Sequence, residues 1–276
     1  MPNPEKYTYD KIGIWSEIKL EIIRKYAQAY SKIMAGKGFK YIYIDAFSGG
    51  GRHKSKKDGR LIDGSPVNAL AVEPPFFEYH FIDIDRKKIN ALSKAVEGKD
   101  NVHLYNEDCN TVLLEKVFPR ARWTDYRRAL CILDPYGLHL DWEVIRTAGE
   151  LKTIDIFLNF PIMDINMNVL RHDTGKVEKD QAARFTRFWG DESWREISYK
   201  SSPQLPLWGD CDTIKQGNDI VAEAFRQRLI SVAGFTNVPR PIPMKNQKKA
   251  TVYYLYFASQ KPVAMHIVKD IFKRYT

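Results

Sequence analysis

The sequence predicts an α/β fold: a mostly parallel sheet of seven strands, closed by an antiparallel hairpin strand, together with a helical insertion. Three observations carry this expectation. Five short runs rich in aromatic and β-branched residues alternate with helical patterns, an amphipathic stretch precedes the first run, and two further runs flank a polar turn near the end.

Taken in order, residues 16–34 place Ile18, Ile22, Tyr26, Tyr30 and Ile33 on one stripe, which predicts a helix packed on the sheet. The five strand candidates are 41–47, 79–83, 102–105, 129–134 and 154–159. Between them, Ser65-Pro66 reads as a capping hydroxyl followed by proline at the first helical position, and 86–96, 111–117 and 142–151 carry helical patterns. Strand–helix alternation of this kind implies right-handed parallel crossovers. Residues 160–213 break the rhythm: they contain Trp189, Trp194 and Trp208 but no clear strand, and read as an insertion or cap. A helix resumes over 219–232, where Val221, Phe225 and Leu229 recur every four residues, and 237–244 with 251–258 form the hairpin around Lys245–Lys249. The whole, 1–276, is expected to form one domain.

Composition narrows the function classes. With 44% hydrophobic and 28% charged residues the chain is not disordered, and no apolar run reaches the length of a membrane span. The opening Met1-Pro-Asn-Pro-Glu lacks the apolar core of a secretory signal, so a cytoplasmic location is expected. Cys109, Cys131 and Cys211 form no C-x-x-C pair, which excludes a disulfide framework and a cysteine-rich zinc site. A net charge of +9 favours polyanions, nucleic acid before membrane, although a basic excess can simply keep a protein dispersed.

The residues able to do chemistry fall at successive strand ends, where open parallel sheets hold their ligands. Asp45-Ala-Phe-Ser-Gly-Gly-Gly51 ends the first strand, and its glycines allow close approach of a ligand to the backbone. The G-x-G-x-x-G pattern of a dinucleotide site is absent, and Asp45 would repel a pyrophosphate. A carboxylate there suits a ligand with ammonium and sulfonium groups such as S-adenosylmethionine, for which Asp45, Phe47, Gly49 and Gly51 are the candidates. The alternative is a glycine-rich turn without a ligand. Asp83 can accept both hydroxyls of a ribose, Asp85 reads as a helix-start residue, and Asp108 can accept from an adenine amine or cap the next helix.

Leu133-Asp-Pro-Tyr-Gly137 follows the fourth strand. There Asp134 could accept hydrogen bonds from an amine while Tyr136 stacks on a planar base, and Asn159 is a further amide candidate after the fifth strand. The basic run Arg52, Lys54, Lys56, Lys57 and Arg60 could follow a phosphate backbone or be a solvated loop. His172-Asp173 and the tryptophans of 160–213 could cover a substrate or belong to the core, and no metal spacing is present. Cys131, inside the fourth strand, is expected to be buried and inert.

As a set, these motifs resemble the class I S-adenosylmethionine-dependent methyltransferases. More closely, Tyr43-Ile-Asp-Ala-Phe-Ser-Gly-Gly-Gly51, Asp63-Gly-Ser-Pro-Val-Asn-Ala-Leu70, Tyr79-His-Phe-Ile-Asp-Ile-Asp85, Leu133-Asp-Pro-Tyr-Gly137, Asn159-Phe-Pro161 and Phe188-Trp-Gly190 resemble the three-Cys-motif partner family. The resemblance implies a Rossmann-like class I methyltransferase fold, S-adenosylmethionine as cofactor, and a partner with the three-cysteine motif encoded nearby. The three cysteines of this chain are unrelated to that motif. Two departures stand out: Tyr136 follows one proline rather than two, and the glycine loop runs into the basic stretch 52–60 before its helix. The expected function is methyl transfer to nucleic acid, at a base amino group or similar nucleophile. The alternative is a non-catalytic cofactor-binding partner protein.

Overall fold

In the computed structural model, residues 9–171, 177–201 and 213–275 are described. The main sheet contains β2 (Lys40–Asp45), β5 (Glu78–Ile82), β6 (Val102–Tyr105), β7 (Arg127–Leu133), β8 (Ile154–Phe160), β11 (Ile242–Lys245) and β12 (Thr251–Ala258). Its spatial order is β6-β5-β2-β7-β8-β12-β11, with β12 antiparallel to both its neighbours and the other pairings parallel. This is the seven-stranded, mostly parallel sheet with an antiparallel hairpin strand that the sequence predicts. The chain leaves β2 toward β5 and β6, then returns to β7 on the other side of β2. Connections therefore diverge at the carboxyl ends of β2 and β7 and leave a crevice there.

Alternation along the strands builds a core on each face. Tyr41, Tyr43, Leu130, Ile132 and Phe157 pack with α1 (Ile14–Gly36), α2 (Ser65–Leu70), α3 (Arg86–Ala95) and α10 (Pro262–Phe272). Ile42, Ile44, Cys131, Leu133, Ile156 and Leu158 pack with α5 (Trp142–Leu151), α6 (Ile162–Asn168), α7 (Lys179–Trp189) and α9 (Asn218–Ser231). Every side chain of β8 is buried, as a central strand covered on both faces requires. The second face is held by an aromatic cluster around Phe225, whose ring centroid lies 4.6 Å from Phe160, 5.6 Å from Phe188 and 5.4 Å from Trp189.

Several expectations change. Trp189 and Trp194 are core residues, so they cover no substrate; His172, Asp173, Trp208 and Cys211 lie outside the described residues. The 160–213 segment contributes α6, α7 and α8 (Trp194–Ser198), and the short strands β9 (Tyr199–Ser201) and β10 (Thr213–Lys215) pair antiparallel. The helix predicted over 111–117 starts as α4 (Cys109–Thr111) and widens into a π-type turn over Val112–Val117, where the Phe118 N–H donates to the Leu113 carbonyl. The basic stretch is not an open loop: β3 (Arg52–Ser55) and β4 (Leu61–Asp63) form a hairpin, joined in parallel by β1 (Lys11–Ile12). No helix among the described residues is long and apolar enough to cross a membrane.

Candidate active site

A cavity of about 750 Å³ opens beyond the carboxyl ends of β2, β5, β6 and β7. The glycine loop forms one wall. Gly49 has φ +64°, a left-handed conformation that glycine adopts without steric penalty, and its N–H donates to Asp83 Oδ2 at 2.9 Å. The Ser48 N–H donates to the Ile82 carbonyl at 2.9 Å, which ties the loop to the neighbouring strand. Gly51 lies deeper: a Cβ there would stand 3.0 Å from Leu92 Cδ1, so its small size serves packing rather than the cavity wall.

The acids after β5 and β6 reach the cavity while also organising their own turns. Asp83 Oδ1 accepts from the Asp85 N–H at 2.8 Å, and Asp85 caps α3 by accepting from the Lys87 N–H at 2.8 Å. Asp108 Oδ1 accepts from the N–H groups of Asn110 and Thr111 at 3.0 and 3.1 Å, so this residue does cap a helix. Each of these side chains lines the cavity, as do Phe47, Gly49, Asp134 and Tyr136.

Asp134 continues the β7 alternation toward α1, where its carboxylate pairs with Lys19. Lys19 is buried, and its ammonium lies 5.2 Å from the centre of the Tyr253 ring. Tyr136 is 85% exposed, which leaves its ring face open to a planar ligand. Asn159 follows Phe157 on the same face of the sheet but does not line the cavity; it is buried, and its Oδ1 has no hydrogen-bond partner among the described residues.

Asp45 does not line the cavity either: it is buried, while the next two residues, Ala46 and Phe47, form part of the wall. Its carboxyl accepts from the Ser65 hydroxyl and from the Phe47 N–H at 3.2 Å. Burial raises its pKa to about 7, and these two donors hold it from rising further. Ser65 therefore does not cap α2 as expected; Gly64 takes that position, and the hydroxyl serves the buried acid instead.

None of Arg52, Lys54, Lys56, Lys57 and Arg60 lines the cavity; their hairpin reaches it through His53. Arg52 pairs with Asp63 at 3.0 Å, and Arg60 with Glu17 at 3.2 Å and Asp58 at 3.4 Å. Lys56 and Lys57 instead line a separate groove of about 640 Å³ with Trp15, Gln247 and Lys248.

Sequence reasoning misses several residues that this geometry makes prominent. Ile84, between the two acids of its turn, is 76% exposed and turns apolar surface to the cavity. Lys19 had a legible signal, a lysine beside Ile22 and Ile23 on the buried side of α1. The β1 segment and His53 had none, since their place depends on a three-strand pairing remote in sequence. Cys131 is buried as expected, and burial also pushes the Cys109 thiol at the cavity wall up to about 12, so neither is a thiolate.

The cavity wall carries six carboxylates, Asp10, Asp83, Asp85, Glu107, Asp108 and Asp134, against Lys11 and Lys88, on a chain whose net charge is +9. Such a wall favours a ligand bearing positive charge and hydroxyl or amine donors, and disfavours a polyphosphate.

No family model and no curated protein matches this chain. Among solved structures it is similar to protein LPL1258 from Legionella pneumophila str. Philadelphia 1, at 9% identity and TM-score 0.45 over 93% of this chain and 92% of that one. It is similar to the N-methyltransferase NodS from Bradyrhizobium japonicum in complex with S-adenosyl-L-homocysteine, at 9% identity and TM-score 0.43 over 90% and 89%. It is also similar to the METTL16 MTase domain, at 11% identity and TM-score 0.42 over 88% and 68%. At such values the likeness is one of fold alone.

Proposed function

We propose that the cavity binds S-adenosylmethionine and that the protein is a methyltransferase acting on an amino group or similar nucleophile of nucleic acid. The observation that carries the cofactor is the acid-rich cavity wall at the switch point of an otherwise basic chain. Asp83 would hold the ribose, because each carboxylate oxygen accepts one backbone N–H and keeps a lone pair for a hydroxyl. Asp108 spends one oxygen on its helix and has the other for an amine, while Ile84 covers the face of a planar base. When bound, the cofactor supplies an electrophilic methyl group. Asp134, oriented by Lys19, would accept a hydrogen bond from the incoming amine, and Tyr136 would stack on its ring.

The acidic wall repels a phosphate backbone, so a nucleic-acid substrate would present one extruded base while its backbone stays outside. The groove beside Lys56, Lys57 and Lys248 supports that arrangement. The closer resemblance, to the three-Cys-motif partner family, belongs to the same reading and adds a protein partner.

Calorimetric titration of S-adenosylmethionine into wild type and Asp83→Ala tests the cofactor: binding is expected in the first and a large loss in the second. Absence of binding to wild type at high micromolar ligand would sink the reading. Transfer of a labelled methyl group to total RNA or DNA tests the substrate class; label appearing only in protein redirects it, and binding without any transfer favours a non-catalytic partner.

A further inference from the structure

A second cavity, of about 340 Å³, lies at the opposite end of the sheet, between the C-terminal half of α1, the start of α10 and the amino ends of β7 and β8. Its lining includes a buried cation, Arg128. Arg128 is 6% exposed, and among the described residues no carboxylate pairs with it. Its guanidinium centre lies 4.2 Å from the centre of the Phe39 ring and 3.8 Å from that of Trp123, and one N–H donates to the Arg127 carbonyl at 2.6 Å. A guanidinium with rings stacked close to it offers its remaining donors in its own plane, the geometry that receives a carboxylate edge-on.

Further polar groups lie around the same cavity. Tyr30 is 3% exposed, and its hydroxyl has no hydrogen-bond partner among the described residues. Lys261, which also lines the cavity, lies 5.3 Å from the centre of the Trp123 ring. Asp155 also lines the cavity; it accepts from the Tyr26 hydroxyl at 2.7 Å, and the cations Lys37, Arg128, Lys152 and Lys261 of the same lining outnumber it. The rest of the wall is mostly apolar, from Ile33, Met34, Val263 and Ile267. An unpaired buried cation, an unpartnered buried hydroxyl and apolar walls define a built site.

We infer that this cavity is a second ligand site, distinct from the cofactor cavity, for a small planar apolar molecule carrying one carboxylate, with the carboxylate on Arg128 and the ring among Tyr30, Phe39 and Trp123. Its volume suits a molecule of one or two fused rings. Nothing in the inference depends on methyl transfer.

The test uses 1-naphthoate as probe, titrated into the full chain by calorimetry, with neutral 1-naphthamide as its uncharged counterpart. Wild type is expected to prefer naphthoate to naphthamide at least tenfold, and Arg128→Met is expected to erase that preference. Because Arg128 is buried, Trp123→Ala supplies a second variant at a half-exposed position, and it too should weaken naphthoate. Asp83→Ala, at the other end of the sheet, should bind naphthoate as wild type does. No binding at millimolar naphthoate, equal affinity in wild type, Arg128→Met and Trp123→Ala, or loss of naphthoate in Asp83→Ala would each overturn the site.

Discussion

Asp45 and Asp134 end adjacent strands on one face of the sheet, yet their surroundings give them opposite tasks. Asp45 is sealed beneath the glycine loop, and its pKa is raised from 3.8 to about 7 chiefly by burial. A raised carboxyl stabilises the fold fully below its unfolded pKa and loses that contribution as pH rises through about 7. Asp45→Asn should therefore gain on wild type between about pH 4 and 7 and hold a constant advantage above, by up to about 4 kcal/mol. Urea denaturation across that range measures the gap; a gap independent of pH would show that Asp45 is ionised in the native protein. Asp134, with a third of its side chain exposed, is held by buried Lys19. Asp134→Asn should lower methyl transfer about 100-fold or more with little change in cofactor affinity, since it removes an orienting acceptor and not a cofactor contact. Stability should fall by about 1–3 kcal/mol, less than for a fully buried pair. A folded Asp134→Asn protein with undiminished transfer would remove Asp134 from the chemistry.

Among elements, the β3–β4 hairpin shows how a basic run is redirected by pairing. Strand alternation sends His53 to the cavity and leaves Lys54 on the other side, while acids absorb the two arginines: Asp63 takes Arg52, and Glu17 with Asp58 takes Arg60. The lysines are then the cations left for a partner. Replacing Lys54, Lys56 and Lys57 with alanine should weaken nucleic-acid binding and reduce its salt slope by up to about 3, because each phosphate contact releases condensed counterions. Filter binding at several salt concentrations reads this directly, and an unchanged slope returns the hairpin to a solvated role. The same alanines should leave cofactor affinity unaltered, since none of the three lysines lines the cavity.

For the whole molecule, charge is divided between surface and site. The chain carries +9 overall, but its crevice gathers five acids that follow β5, β6 and β7, joined by Asp10 just before β1. Ligand choice can be read through global stability. S-adenosylhomocysteine at about 100 times its Kd should stabilise the protein by about 2.7 kcal/mol and raise Tm by about 5 °C or more. NAD, with its pyrophosphate, should produce no shift. A thermal melt in which NAD stabilises as well as S-adenosylhomocysteine would contradict the electrostatic assignment.

The sequence by itself determined the strands of the main sheet, their mostly parallel direction and the ends at which chemistry could collect, because periodicity and turn residues are local signals. Asp83, Asp85 and Asp108 were legible for that reason: each is a strand-end acid that also satisfies nearby N–H groups of its own turn. The helix α10 had such signals too, with Pro262 in its first turn and Ala264, Val268 and Phe272 spaced by fours, but no element was expected beyond residue 258. What only the tertiary structure decided are facts of long-range contact. Lys19 meets Asp134 across 115 residues, Asp45 finds the Ser65 hydroxyl instead of the cavity, and β1 joins β3 beside the opening. Arg128 acquires Phe39 and Trp123 in the same way, with no paired carboxylate among the described residues. Burial, and with it the protonation of an acid or the availability of a cation, depends on what the rest of the chain places overhead, and no local pattern encodes that.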